Sequence, residues 1–351
     1  MDVIDRVDQA ETPLYTMAKR EIDLNNTDFA WTVDTWPTVA GAQGVADGVP
    51  VADGDIADNS TRRRKMGNGG QAFRRVYGVG WIADRVPKLP GTGKGGEIGR
   101  AAADAMVAIK QDIEAAFCSE DQVYAQDDGT DGGTMAGLGQ LTNRSNTYTG
   151  ASSYAIGKIQ NTYVPPAAAA LSGAIGTNFN LAAIRTMVKA LRRVVKRNRD
   201  YVQLCGLELR QAFTGLTDPA TVTVQSTNTG VAATQTRSFT QQLADAELGI
   251  TIDVVRTDYG RLLIVPTDFI GTTTTKSDST SASTRADRAF VEDGYAGYTI
   301  PREKIAKRWG VPFTVNELAQ TGAGTRKEIK CYLGLVVYNP SAFGSQLFTA
   351  S

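Results

Sequence analysis

The side chains that could do chemistry fall in a few places, and each can be tested against the ligand or reaction its spacing would serve. Lys94, in the run PGTGKGGEIG at residues 90 to 99, suggests a phosphate-binding loop. Such a loop needs GxxxxGK followed by Ser or Thr for the metal, whereas here Gly95 follows the lysine and the first glycine is misplaced. A flexible hinge is the better reading. Asp127, Asp128 and Asp131 in DDGTDGG resemble part of a calcium loop, but the D-x-[DN]-x-[DN]-G register and the closing Glu are missing, which leaves a turn. Cys118, Cys205 and Cys331 lie far apart with no CxxC pair, so neither a disulfide framework nor a thiolate metal site is expected. Histidine is absent from all 351 residues. That removes Ser-His-Asp and Cys-His relays and every zinc site that needs an imidazole. No catalytic residue, cofactor or metal site is expected, and the chain reads as a non-enzyme.

Cationic side chains are the remaining candidates. Arg62, Arg63, Arg64 and Lys65 form a run, supported by Arg74 and Arg75. They could contact phosphates without reading sequence, or pair with acids on a neighbouring subunit; the second use is favoured. With Trp31 and Trp36 they make up the inter-subunit contact candidates. A second basic group, Arg185, Lys189, Arg192, Arg193, Lys196, Arg197 and Arg199, lies along one predicted helix, where solvation or inter-subunit pairing ranks ahead of nucleic acid. Lys plus Arg equals Asp plus Glu at 37 each, so there is no long-range pull on nucleic acid, and neutrality favours self-association.

Several elements must position these groups. TDFAWTVDTW places Phe29, Trp31 and Val33 on one face at the period of a half-buried strand, and QAFRRVYGVGWIAD repeats the pattern at Phe73, Tyr77, Val79 and Trp81. Between them, Pro37 to Gly70 is rich in Gly, Ala and Asp without periodicity, and it is too long for a connector. It is predicted to be a long hairpin arm whose partner is another chain. Ile98, Ala102, Ala105, Ile109, Ile113 and Phe117 recur at helical spacing, with Arg100, Lys110, Asp112 and Glu114 off the stripe. Asn180 is a good N-cap for a second helix over 180 to 199, with Leu181, Ile184, Val188, Leu191 and Val195 on its apolar face.

Farther on, YVQLCGLELRQAFTGL predicts a strand running into a short helix, and ITIDVVRTDYGRLLIVPTDFI two strands joined at a Tyr-Gly turn. GTTTTKSDSTSAST at 271 to 284 reads as an exposed low-complexity loop. The closing RKEIKCYLGLVVYNPSAFGSQLF reads as one buried strand returning to the first lobe. The acidic start MDVIDRVDQAETPLY lacks the pattern of a signal peptide, and no apolar run reaches membrane-spanning length, so folding in cytosol without membrane contact is expected.

Four segments occur in a telling order: ETPLYTMAKR followed by NNTDFAWTVDTW, TMAGLG at 134 to 139, TDYGRLLIVPTDFI, and AQTGAGTRKEIKCYLGLVVYNPSAFG. In that order the chain resembles the tailed-bacteriophage major capsid proteins of the HK97-like fold family. The resemblance implies an α+β fold with an N-terminal arm (1–25), an extended loop or E-loop hairpin (26–83), a peripheral (P) domain with a long spine helix (84–140), an axial (A) domain (141–300), and a C-terminal return to the P-domain (301–351). It also implies self-assembly into pentamers and hexamers of an icosahedral shell around double-stranded DNA, in the virion, after assembly in a host bacterial cytoplasm. Scaffolding, decoration or cement, and portal proteins would be separate partners. The alternative is a DNA-binding, nucleoid-type structural protein using residues 62–65 and the basic helix 181–199; zero net charge speaks against it.

Overall fold

The computed structural model describes residues 11–21, 26–34, 48, 50, 63–82, 96–129, 132–149, 154–196, 199–216, 254–270, 295–319 and 324–349. The chain divides into two compact units, 1–165 with 302–343, and 166–301 with 344–351. The expected arm core at Pro37–Gly70 falls largely outside the described residues, as do Arg62, Trp36, Lys94, Gly95 and the polar run 271–284.

In the first unit, helix α1 (Pro13–Met17) leads into strand β1 (Lys19–Arg20). Strand β2 (Asp28–Val33) pairs antiparallel with β3 (Arg64–Gly69), with Trp31 opposite Met66. The alternation read from sequence is present: Phe29, Trp31 and Val33 are buried. Its partner differs from the expectation, because RKMGNG showed no strand periodicity and yet forms β3. After Gly70 the chain enters β4 (Gln71–Val79) and joins a second sheet, ordered β1-β12-β13-β4, with β12 spanning Ile305–Glu317 and β13 spanning Thr325–Val337. The apolar run Leu333–Val337 suits a strand buried on both faces.

Helix α2 (Gly96–Cys118) lies on β4 and buries Ala105, Ile109, Ile113 and Phe117 of the predicted stripe. Helix α3 (Leu138–Thr142) and the small parallel pair β5 (Thr147–Tyr148) and β6 (Ile159–Gln160) complete this unit. Residues 141 to 165 therefore belong to this unit, whereas the expected boundaries grouped them with 166 to 300. Tyr163 explains why, since its ring is in the same apolar cluster as Trp31 and Met66.

The second unit holds a six-stranded mixed sheet ordered β7-β14-β11-β8-β10-β9. Strand β7 is Ala170–Ala174, followed by a short helix α4 (Ile175–Asn178) and α5 (Leu181–Val195). The Asn180 side chain accepts a hydrogen bond from the Ala183 N–H at 2.8 Å, the predicted N-cap. Strand β8 (Arg199–Cys205) runs into α6 (Leu207–Gly215), and β9 (Val254–Thr257) turns back as β10 (Gly260–Pro266). Strand β11 (Ala296–Pro301) pairs with β8 and with β14 (Gly344–Thr349).

That last pairing corrects the expected C-terminal return. Residues 302–343 do belong to the first unit, but β14 closes the sheet of the second. A buried amide pair fixes it there: Gln203 Nε2 donates to Gln346 Oε1 at 2.6 Å and Gln346 Nε2 to Gln203 Oε1 at 2.9 Å, with the Thr299 hydroxyl donating to Gln203 Oε1. Gln203 Nε2 also donates to the Leu204 carbonyl at 3.1 Å, so the pair belongs to a buried polar network that includes β14.

Candidate functional site

The hairpin root is built around Asn68, at the end of β3. Its side chain is fully buried and uses every hydrogen-bonding position of an amide. Nδ2 donates to the carbonyls of Ala136 (3.1 Å) and Leu335 (2.9 Å), while Oδ1 accepts from the N–H groups of Ala136 and Gly69, both at 2.9 Å. Three residues on, Gln122 Nε2 donates to Gln71 Oε1 at 2.6 Å and to the Met135 carbonyl at 2.9 Å. The TMAGLG segment thus acts through its backbone, which two amide side chains fasten to the base of the hairpin.

Glycine is required at the junction because two tyrosine rings lie against it. A Cβ on Gly69 would overlap the ring of Tyr124, and one on Gly70 the ring of Tyr332. Both rings are held by their hydroxyls: Tyr124 donates to Asp28 Oδ1 at 2.8 Å and Tyr332 to the Thr27 carbonyl at 2.9 Å. Burial and the Asp28 carboxylate push the Tyr124 phenol up to about 12, so it stays a donor.

Helix α1 is held through a second buried polar group. Glu114 of α2 is fully buried and accepts the Leu14 N–H at 2.8 Å and the Tyr15 N–H at 2.6 Å. These are free donors of the first turn of α1, so a side chain from a distant helix does the work of an N-cap. Burial pushes the Glu114 carboxyl up to about 7, against the pull of the two backbone donors. Lys307 of β12 donates to the Tyr15 carbonyl at 2.6 Å, with Nζ 3.7 Å from the centre of the Tyr15 ring. Burial lowers the lysine to about 8.

The predicted contact residues have mixed placements. Trp31 is a correction: only 5% exposed, it packs with Phe29 and Met66 inside its own chain, so it has no surface to offer a neighbour. Its indole N–H has no acceptor among the described residues. Arg75 forms a two-pronged pair with Asp112 of α2, Nε to Oδ2 at 2.6 Å and Nη2 to Oδ1 at 2.5 Å. Arg63 lies 3.5 Å from Asp34, with both side chains largely exposed. Arg64 and Lys65 lie in β3, where the Lys65 carbonyl accepts from the Tyr148 hydroxyl, and Arg74 is exposed on β4. Just past β4, Trp81 is 53% exposed.

Sequence reasoning set Glu114 off the apolar stripe and passed over Asn68 and Gln71. A buried polar side chain carries no periodic signal. The one available cue was MGNGG, an amide among glycines that a reader would assign to a loop. Among the described residues no cluster of His, Cys, Asp or Glu could hold a metal, and no helix is long and apolar enough to cross a membrane.

A family model described as SU10 major capsid protein matches residues 1–346. No curated protein matches the chain. Among solved structures, the capsid asymmetric unit of cyanophage A-1(L) aligns with TM-score 0.58 at 16% identity, covering 99% of this chain and 95% of that one. The capsid of cyanophage P-SCSP1u aligns at 0.55 with 7% identity, covering 99% and 91%. The capsid of a native GTA particle, computed with C5 symmetry, aligns at 0.55 with 15% identity, covering 100% and 94%.

Proposed function

The chain belongs to the SU10 major capsid protein family, and from that premise we propose how one copy meets the next. Its fold is the HK97-like fold of phage capsid subunits, and its function is that of a shell protein that assembles into a capsid lattice and resides in the virion. The arm and the hairpin leave their roots at Glu114 and Asn68 fully satisfied within the protomer, and the part of β4 beyond them is left open.

The observation that carries this reading is the exposed apolar stretch at the outer end of β4. Val76, Trp81 and Ile82 are 54%, 53% and 58% exposed, three large apolar side chains within seven residues, and this is where the reading places an association surface. A neighbouring copy covers it, and the cations Arg63, Arg64, Lys65 and Arg74 meet acids of that copy at the rim. Arg62 and Trp36 are proposed for the same contact from their place in the sequence. Weak contacts of this kind suffice because a closed shell repeats them. Pentamers and hexamers, packaged double-stranded DNA, separate scaffolding, cement and portal proteins, and assembly in a bacterial cytoplasm complete the reading.

Negative-stain microscopy of the overexpressed, purified chain tests it. Shells or regular capsomers are expected, with Trp81→Ala giving fewer of them. Monomers at every concentration, or unchanged shells from a Trp81→Ala/Ile82→Ser variant, would overturn the proposed contact.

A further inference from the structure

The basic face of α5 has a neighbour that its sequence does not convey. Taking about 100° per residue, Arg185, Lys189, Arg192, Arg193 and Lys196 fall on a stripe roughly 100° wide, and at 1.5 Å rise they extend over about 16 Å. No Asp or Glu occurs anywhere in α5. Lys189 and Arg193, and likewise Arg192 and Lys196, are like charges four residues apart, a spacing that destabilises a helix. Among the described residues no carboxylate forms an ion pair with any of them.

Two of these cations do favour the helix, since Arg192 and Arg193 stand in its last turn, where the dipole welcomes positive charge. That does not explain Lys189, nor where the heads point. Lys189, Arg192, Arg193 and Lys196 line a cup of about 270 Å³ whose remaining wall is Tyr259, from the turn between β9 and β10. The Lys189 Nζ and the Arg192 Cζ lie 6.0 Å and 5.8 Å from the centre of the Tyr259 ring. The ring thereby gathers two cations that would otherwise separate in solvent. Lys196 enters the group from a left-handed C-cap at φ 64°, an uncommon conformation for a side-chain-bearing residue. Asp258 is the neighbouring acid in sequence, and it pairs with none of the four.

We propose that this tyrosine-floored cationic cup, continued along α5 by Arg185, binds the phosphodiester backbone of nucleic acid. One phosphate would neutralise only part of four clustered cations. A strand with a phosphate about every 3.4 Å matches the length of the stripe. The contact reads no sequence, because its cations are the point charges and forks that suit phosphate oxygens. It rests on the capsid reading only for the identity of its natural ligand; the chemistry of the cup stands independently.

The test is a fluorescence titration of duplex DNA onto the full-length chain between about 50 and 200 mM salt. Lys189→Gln/Arg193→Gln is expected to weaken binding by roughly tenfold per cation near 0.1 M salt and to reduce the slope of log affinity against log salt by nearly 2, at about 0.9 per lost contact. Arg144→Gln, an exposed cation of the other unit, should leave both unchanged. A double variant with the wild-type slope would overturn the proposal. Competition separates the ligands: inorganic polyphosphate should displace the DNA, and orthophosphate at equal total phosphate should not. Displacement by orthophosphate would show a single-phosphate site and sink the backbone assignment. Micrographs of the same double variant address the capsid reading separately, because shells that form without DNA affinity, or DNA affinity without shells, can be told apart.

Discussion

The run Met66–Phe73 and the run Val76–Ile82 adjoin in sequence and obey opposite rules. In the first, Met66, Asn68, Gln71 and Phe73 are all buried, and the Asn68 amide fills each of its hydrogen-bond positions with atoms of its own chain. In the second, Val76, Trp81 and Ile82 are more than half exposed and no described element covers them. The buried amide ties the end of β3 to Ala136 and to Leu335 of β13. A surface that must meet another copy needs its apolar groups unspent. The difference teaches that buried anchoring and open apolar surface are allotted to neighbouring stretches of the chain; under the proposed contact the second serves association, and substitution on either side can break the comparison.

The largest expected effect is at the root. Asn68→Ala removes the side chain that satisfies the Ala136 N–H and the Leu335 carbonyl, both in a buried setting. The expected loss is about 3 kcal/mol, from two or more unsatisfied buried polar groups at roughly 1–3 kcal/mol each with partial relaxation. The urea midpoint of the dissociated subunit measures it. If Trp81→Ala lowers that midpoint as far as Asn68→Ala does, the division of labour proposed for β4 is wrong.

Glycines give a matched pair. Gly69→Ala would drive a methyl into the Tyr124 ring, and overpacking of this kind costs typically about 1–3 kcal/mol. At Gly80, just beyond β4, an added Cβ meets nothing within 4 Å. Gly80→Ala is therefore expected to be neutral, or to stabilise by up to about 1 kcal/mol through the unfolded chain. Equal thermal shifts for the two alanines would erase the contrast.

The sequence made one side of this comparison legible and not the other. Phe29, Trp31 and Val33 announced β2, and Ile109, Ile113 and Phe117 announced α2, because apolar side chains facing a core must repeat at the period of their element. The basic stripe of α5 was equally plain, but Tyr259 approaches it from 63 residues beyond Lys196 and no local pattern reports that. Asn68 and Glu114 were invisible for a related reason: their partners are backbone atoms of Ala136, Leu335, Leu14 and Tyr15, and any residue type supplies those. The sequence joins β14 to the preceding strand because NPSAF, between β13 and β14, gives no sign that the chain then enters another sheet; the Gln203–Gln346 pair that places it there joins residues 143 positions apart.

Helix α1 offers an effect that depends on pH. Its docked state holds the Glu114 carboxyl up at about 7 through burial, against an ordinary value near 4.5, so between these values docking takes up a proton. That contribution is complete below about pH 4.5 and is lost as pH rises to about 7. Lys307, lowered by burial to about 8, acts in the other direction from about pH 8 upward, where its neutral form favours docking. Cys118, whose thiol burial pushes up, stays protonated throughout. Docking should be weakest between about pH 7 and 8. Hydrogen exchange at the Leu14 and Tyr15 amides, corrected for intrinsic rate, should show protection falling from about pH 5 to 7. Glu114→Gln should abolish that fall, and a variant that keeps it would transfer the effect to another group.

The smallest expected change in stability accompanies the largest in association. Trp81→Ala and Ile82→Ser remove side chains that are more than half exposed, so the subunit should lose no more than about 0.5 kcal/mol. If a neighbouring copy buries this surface, each contact forfeits apolar area at about 25 cal/mol per Å², and a shell forfeits it at every repeat. The yield of sedimenting particles should therefore fall steeply while the urea midpoint stays put. Arg75→Gln supplies the contrast, since its bond to Asp112 lies within the chain: a modest stability loss with particle yield unchanged is expected. Should Arg75→Gln reduce assembly as much as Trp81→Ala does, the boundary between root and contact surface would have to move inward along β4.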